Sequence, residues 1–81
     1  MMKKFENITV ITERRLYDQA MVYVDNLINE ATAIGALDEQ GANNEYTLEI
    51  GRVGNMCADY ESTFMTFKHL KFKSQREMAL A

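Results

Sequence analysis

The chain has one cysteine, Cys57, and one histidine, His69. A thiolate beside an imidazole is the smallest arrangement that could act as a nucleophile–base pair or begin a metal site. Twelve residues separate the two, about 18 Å along a helix, which excludes direct contact within one helix. One Cys and one His are also too few ligands for zinc, which takes four. Cys57 therefore reads as a buried structural thiol. Asp38 and Glu39 are adjacent carboxylates. No His or further carboxylate lies at ligand spacing beside them, so they read as solvated loop charges. No Gly-rich phosphate loop or Ser-His-Asp arrangement can be placed. These residues predict a protein that is not an enzyme and has no metal or cofactor.

The elements are better marked than the chemistry. Tyr46, Ile50, Val53, Cys57, Tyr60, Phe64 and Phe67 follow one another in alternating steps of four and three. That spacing puts all seven on one stripe of a helix, at the period of helices that pack side by side. The aromatic members read as core, not as a stacking platform. Tyr17, Ala20, Val24, Leu27, Ala31 and Ile34 repeat the alternation, with Leu16, Met21, Tyr23 and Ile28 flanking them. Thr12 is an expected N-cap, with Ile11 and Leu16 at staple positions and Glu13 at the positive end of the dipole. Gly35 is the expected terminator. A loop over residues 35–44 follows, with Asn43 or Asn44 as the next cap. The prediction is an all-α fold, an antiparallel hairpin of helices over about 13–34 and 44–69. Ahead of it, residues 1–11 form an arm in which Phe5, Ile8 and Val10 suggest a brief extended segment. Beyond it lies a basic tail, 71–81, where Ser74 and Glu77 have capping-box spacing for a short third helix.

Eighty-one residues make one domain, of a size that is marginal alone and usually recruits a staple or a second subunit. Helix one has more apolar surface than helix two can shield. Gly51, Gly54 and Ala58 form a small-residue flank on helix two, with Thr47 and Met65. Each helical glycine costs about 1 kcal/mol, so this flank reads as a second close-packed contact. A homodimer, two hairpins in a four-helix bundle, follows. Leu16, Met21, Tyr23 and Ile28 on helix one, with Gly51, Gly54, Ala58 and Met65 on helix two, are its candidate dimer or partner surface.

The net charge is −3. Residues 13–61 hold three Arg against four Asp and six Glu, giving −7. In residues 62–81, Lys68, Lys71, Lys73 and Arg76 against Glu77 give +3, and residues 1–12 give +1. An acidic body repels phosphate, so nucleic acid is disfavoured as a partner, and only those four basic residues are candidate phosphate contacts. A DNA-binding regulator using the basic tail and a small-molecule or metal-binding bundle are the alternatives. No stretch approaches the roughly 20 apolar residues that span a bilayer. Glu6, Asn7 and Thr9 break the run a signal peptide needs, and one cysteine fits a reducing compartment, so a cytoplasmic location is expected.

Ile11-Thr12-Glu13, Tyr17, Ala20, Val24 and Leu27, then Glu45, Leu48-Glu49, Val53 and Asp59-Tyr60-Glu61, resemble the helical N-terminal region of HigA-type antitoxins. The likeness covers roughly residues 11–72. In that family the segment precedes a helix-turn-helix domain, and the proteins commonly dimerise and bind a partner toxin. The resemblance thus implies an antitoxin-like or regulator-like accessory domain. Such proteins often carry a His and a Pro soon after the Tyr-Glu, where this chain continues Ser62-Thr63-Phe64. Ser74-Gln75-Arg76-Glu77-Met78-Ala79 is similar to the opening of a helix-turn-helix helix, but the DNA-reading module is not expected here. The resemblance assigns no site residues.

Overall fold

The computed structural model describes residues 5–35 and 45–80, the side chains of 76 and 78–80 apart. The expected caps Asn43 and Asn44 and the carboxylates Asp38 and Glu39 lie outside the described residues. Helix α1 spans Arg14–Ala33, α2 Glu45–Met56 and α3 Glu61–Leu80, with a 3₁₀ turn over Ala58–Tyr60 before α3. There is no strand among the described residues.

Helix α1 starts one residue later than the Thr12 cap predicts. Glu13 holds the cap position in extended backbone, without a side-chain hydrogen bond. Thr12 is exposed, and its carbonyl accepts a 3.5 Å bond from the Tyr60 hydroxyl. At the other end Gly35 takes φ 73°, the left-handed conformation that costs glycine least. Its N–H returns to the Thr32 carbonyl at 3.2 Å. Ile34, expected on the seam, is 62% exposed. Its N–H closes the last turn on Glu30, and the chain then leaves the apolar stripe.

The predicted helix over 44–69 is two helices. In an unbroken helix the Met56 carbonyl would accept the Tyr60 N–H. It accepts the Ile11 N–H instead, at 2.7 Å, and the Tyr60 N–H goes to the Cys57 carbonyl at 2.8 Å. Cys57 sits at φ −91°, ψ 30°, outside the helical region. The stripe nevertheless stays inward through the break. Tyr46, Ile50, Val53, Cys57 and Phe64 are buried, with Tyr60 and Phe67 half-buried against them. Beyond Phe67 the chain continues as helix, so Ser74 lies in the interior of α3, not at a cap. The expected basic tail is the second half of that helix.

Contacts fix the directions of the three helices. The Tyr46 phenol donates to Glu30 at 2.9 Å, and Ile11 meets Met56 at the other end, so α1 and α2 are antiparallel. Tyr60 stacks on Tyr17, ring centroids 4.4 Å apart. Further along, Lys71 pairs with Asp25 at 2.8 Å and Gln75 donates to Asn29 at 3.1 Å. Helix α3 therefore runs alongside α1 in the same direction, completing an up–down–up arrangement. Its smallest dimension, 20 Å, is about two helix diameters.

The third helix and the arm cover much of what a hairpin would leave wet. Ile28, expected on a partner surface, is fully buried. Leu16, Met21 and Tyr23 are half-buried against the core, with Phe5 and Ile8 of the arm beside them. Ile11 is fully buried, whereas Val10, expected with Phe5 and Ile8, is 40% exposed. The inward residues of the arm are thus 5, 8 and 11, a three-residue period and not that of a strand. The argument for a dimer from surplus apolar area on α1 is correspondingly weaker than the sequence suggests.

Candidate functional site

The fold-back of α3 on α2 leaves a groove of about 370 Å³ between them. Helix α2 contributes Gly51, Gly54 and Asn55, the turn Ala58, and α3 contributes Glu61, Phe64, Met65 and Lys68. Gly51 lies three and four residues before Gly54 and Asn55, and these lie four and three before Ala58, so the positions fall on one side of the chain. Its two glycines differ. A Cβ at Gly54 would stand 2.7 Å from Cε2 of the buried Phe64, whereas at Gly51 it would meet nothing within 4 Å. Gly54 thus has a side chain of its own chain, Phe64, packed against it, and Gly51 has no described neighbour so near. Ala58 is exposed and Met65 47% exposed. Glu61 and Lys68 stand two turns apart on α3, about 10 Å along its axis, giving the groove one charge of each sign.

A second cluster, on the other side of α2, was not legible as a site. Glu49 is only 4% exposed. Its carboxylate accepts Arg52 Nε at 2.6 Å and Nη2 at 2.7 Å. It also accepts the Tyr23 hydroxyl at 2.5 Å and the Phe5 N–H at 3.3 Å. Arg52 in turn donates to the Phe5 carbonyl at 2.8 Å. The guanidinium, helped by Tyr23 and the Phe5 amide, holds Glu49 down to about 2 against the burial that opposes it. Burial, then the bond to Glu49, pushes Tyr23 up to about 12. Tyr23, expected on a partner surface, is instead committed to this cluster. The one sequence signal was the i, i+3 spacing of Glu49 and Arg52 beside the seam.

The remaining candidates are scattered. Cys57 is fully buried, and burial pushes its thiol pKa up, which suppresses the thiolate that a nucleophile requires. His69 is exposed on α3. Among the described residues no group of three or more His, Cys, Asp and Glu is placed to hold a metal. Lys68 lines the groove, Lys71 is paired with Asp25, and Lys73 is exposed. Lys73 lies about 140° around the helix from Lys68, so the three described lysines do not gather as one phosphate-facing patch. The Arg76 side chain lies outside the described residues. No described helix is long and apolar enough to cross a membrane.

Comparison with protein-family models, with curated proteins and with solved structures finds no match. The antitoxin-like reading therefore rests on the residues quoted for it.

Proposed function

We propose that this chain is a non-enzymatic interaction domain that dimerises through the α2–α3 groove, acting in the cytoplasm as an accessory segment like that of HigA-type antitoxins. The observation that supports this is Gly51. Glycine inside a helix costs about 1 kcal/mol against alanine, and among the described residues no neighbour within 4 Å accounts for it. A backbone approaching from another molecule does. The occupant is a second copy. About a two-fold axis near Met65, Glu61 of one copy faces Lys68 of the other, and the pairing repeats in reverse, as an isologous contact requires. The exposed Met65 supplies the adaptable apolar contact at the centre. A toxin-like protein partner would then bind the dimer, and nucleic acid is not the expected partner.

The test is Gly51→Leu. A Cβ there meets no described atom within 4 Å, and circular dichroism checks that helix content is unchanged. Light scattering should show the dimer reduced to monomer. A variant that dimerises as well as the parent contradicts the groove as the interface.

A further inference from the structure

The bend between α2 and α3 has no local cause. Met56, Cys57, Ala58, Asp59 and Tyr60 include neither glycine nor proline, and Ala and Met are among the better helix formers. The apolar stripe keeps its four–three steps across the bend. What marks the place is a 3₁₀ turn over Ala58–Tyr60, and such a turn between two helical stretches often marks a hinge. Residues 11 and 12, at the inner end of the arm, hold both sides of it. The Ile11 N–H occupies the Met56 carbonyl at 2.7 Å, the acceptor that the Tyr60 N–H would use in an unbroken helix. The Thr12 carbonyl accepts the Tyr60 hydroxyl at 3.5 Å. Ile11 itself is fully buried. Farther out, Glu49 accepts the Phe5 N–H, and Arg52 donates to the carbonyl of that same residue. The arm thus runs along one face of α2 over Glu49, Arg52 and Met56. It ends on the one acceptor that decides whether α2 continues.

We infer that residues 56–60 form a two-state hinge set by the arm. With the arm seated, the Met56 carbonyl is taken and the chain turns back. With the arm out of its seat, the Tyr60 N–H bonds to Met56 instead, and α2 and α3 join as one helix that swings α3 away from α1. The hinge needs no dimer. What opposes the straight form is the burial of Phe64 and Phe72 and the stack of Tyr60 on Tyr17. The partly exposed Lys71–Asp25 pair contributes little. The straight form is therefore the minor one while the arm is seated, and removing the Ile11 donor raises its share. Coupling of this kind is reciprocal, so loosening α3 from α1 also unseats the arm.

The experiment removes that one donor. In the full chain made by chemical synthesis, Ile11 is replaced by its α-hydroxy acid, which keeps the side chain and turns the N–H into an ester oxygen. Spin-labelled residues stand in for Leu48 and Leu70, both exposed. Dilution in unlabelled chain restricts the measurement to distances within one molecule. A straight helix sets the two positions about 33 Å apart along its axis, farther than the folded-back pair. The population at that distance should rise at least about tenfold over the parent, with helix content by circular dichroism undiminished. An unchanged distance distribution overturns the inference. So does a broad one with loss of helix, which means that α3 merely frays. Should the ester chain fail to fold, Phe72→Ala, which loosens α3 instead, decides it by amide hydrogen exchange. The Phe5 and Ile11 amides should then exchange at least about tenfold faster, beyond any change at Val24 and Ile50 of the core. A rise no greater than that of the core overturns the inference.

Discussion

Helix α1 is gripped on two sides, and the grips differ in kind. The core that α1 and α2 share is mostly dry, with Val24, Leu27, Ile28, Ile50 and Val53 all at most 3% exposed. It is closed at one end by Tyr46 on Glu30 and at the other by the Ile11–Met56 bond, with the Glu49 cluster between them. Toward the second half of α3 the contact is polar. Lys71 meets Asp25 and Gln75 meets Asn29, with Phe72 the buried apolar residue between them. Dry packing resists salt and fixes one geometry, whereas half-exposed ion pairs are screened and contribute little. The α1–α2 pair is thus the stable unit, and the end of α3 is the part expected to open first in hydrogen exchange.

Several substitutions would break or sharpen that contrast. The largest effect belongs to the dry side. Ile28→Ala, at a fully buried site, should cost about 2–5 kcal/mol in urea unfolding. Next is acid. Glu49 has its folded pKa lowered to about 2 from 4.5. Its stabilisation, on the order of 3 kcal/mol, is complete above 4.5 and lost as pH falls toward 2. Tyr23, raised from 10.0 to about 12, sets the opposite edge. Its stabilisation is complete below 10 and disappears as pH rises through 12. Between those limits the cluster should give no pH dependence, and Glu49→Gln should abolish the acid limb. A steep loss of stability between pH 6 and 8 traced to Glu49 would contradict this.

At the elbow, where the two grips meet, Gly54→Ala gains helix propensity of about 1 kcal/mol. It drives a Cβ into the ring of the buried Phe64, and overpacking costs about 1–3 kcal/mol, so net destabilisation is expected by thermal melting. Smallest of all, Lys71→Met on the polar side should change stability by under about 1 kcal/mol and remove a salt dependence that the parent shows. A loss as large as that of Ile28→Ala would mean the polar grip carries as much as the dry one.

Helix α1 was legible because its period, its flanking residues and Gly35 all point the same way. The break at Cys57 was not. The apolar spacing runs straight through it, and what diverts the Met56 carbonyl is the Ile11 N–H, forty-five residues away in sequence. Glu49 carried no local sign of burial, since only folding brings Tyr23 and Phe5 to it. Lys71 and Gln75 read as tail because nothing local says that Asp25 and Asn29 wait across from them. The groove was half legible. Spacing placed Gly51, Gly54, Ala58 and Met65 on one flank, but could not say that Phe64 would fill the space at Gly54 and leave Gly51 open.

The most direct test of the self-association on which the functional account depends is sedimentation equilibrium of the unmodified chain over a micromolar concentration series. The account expects the weight-average mass to climb from the 9.3 kDa of one chain to twice that value and to stop there. A mass that stays at one chain throughout contradicts it.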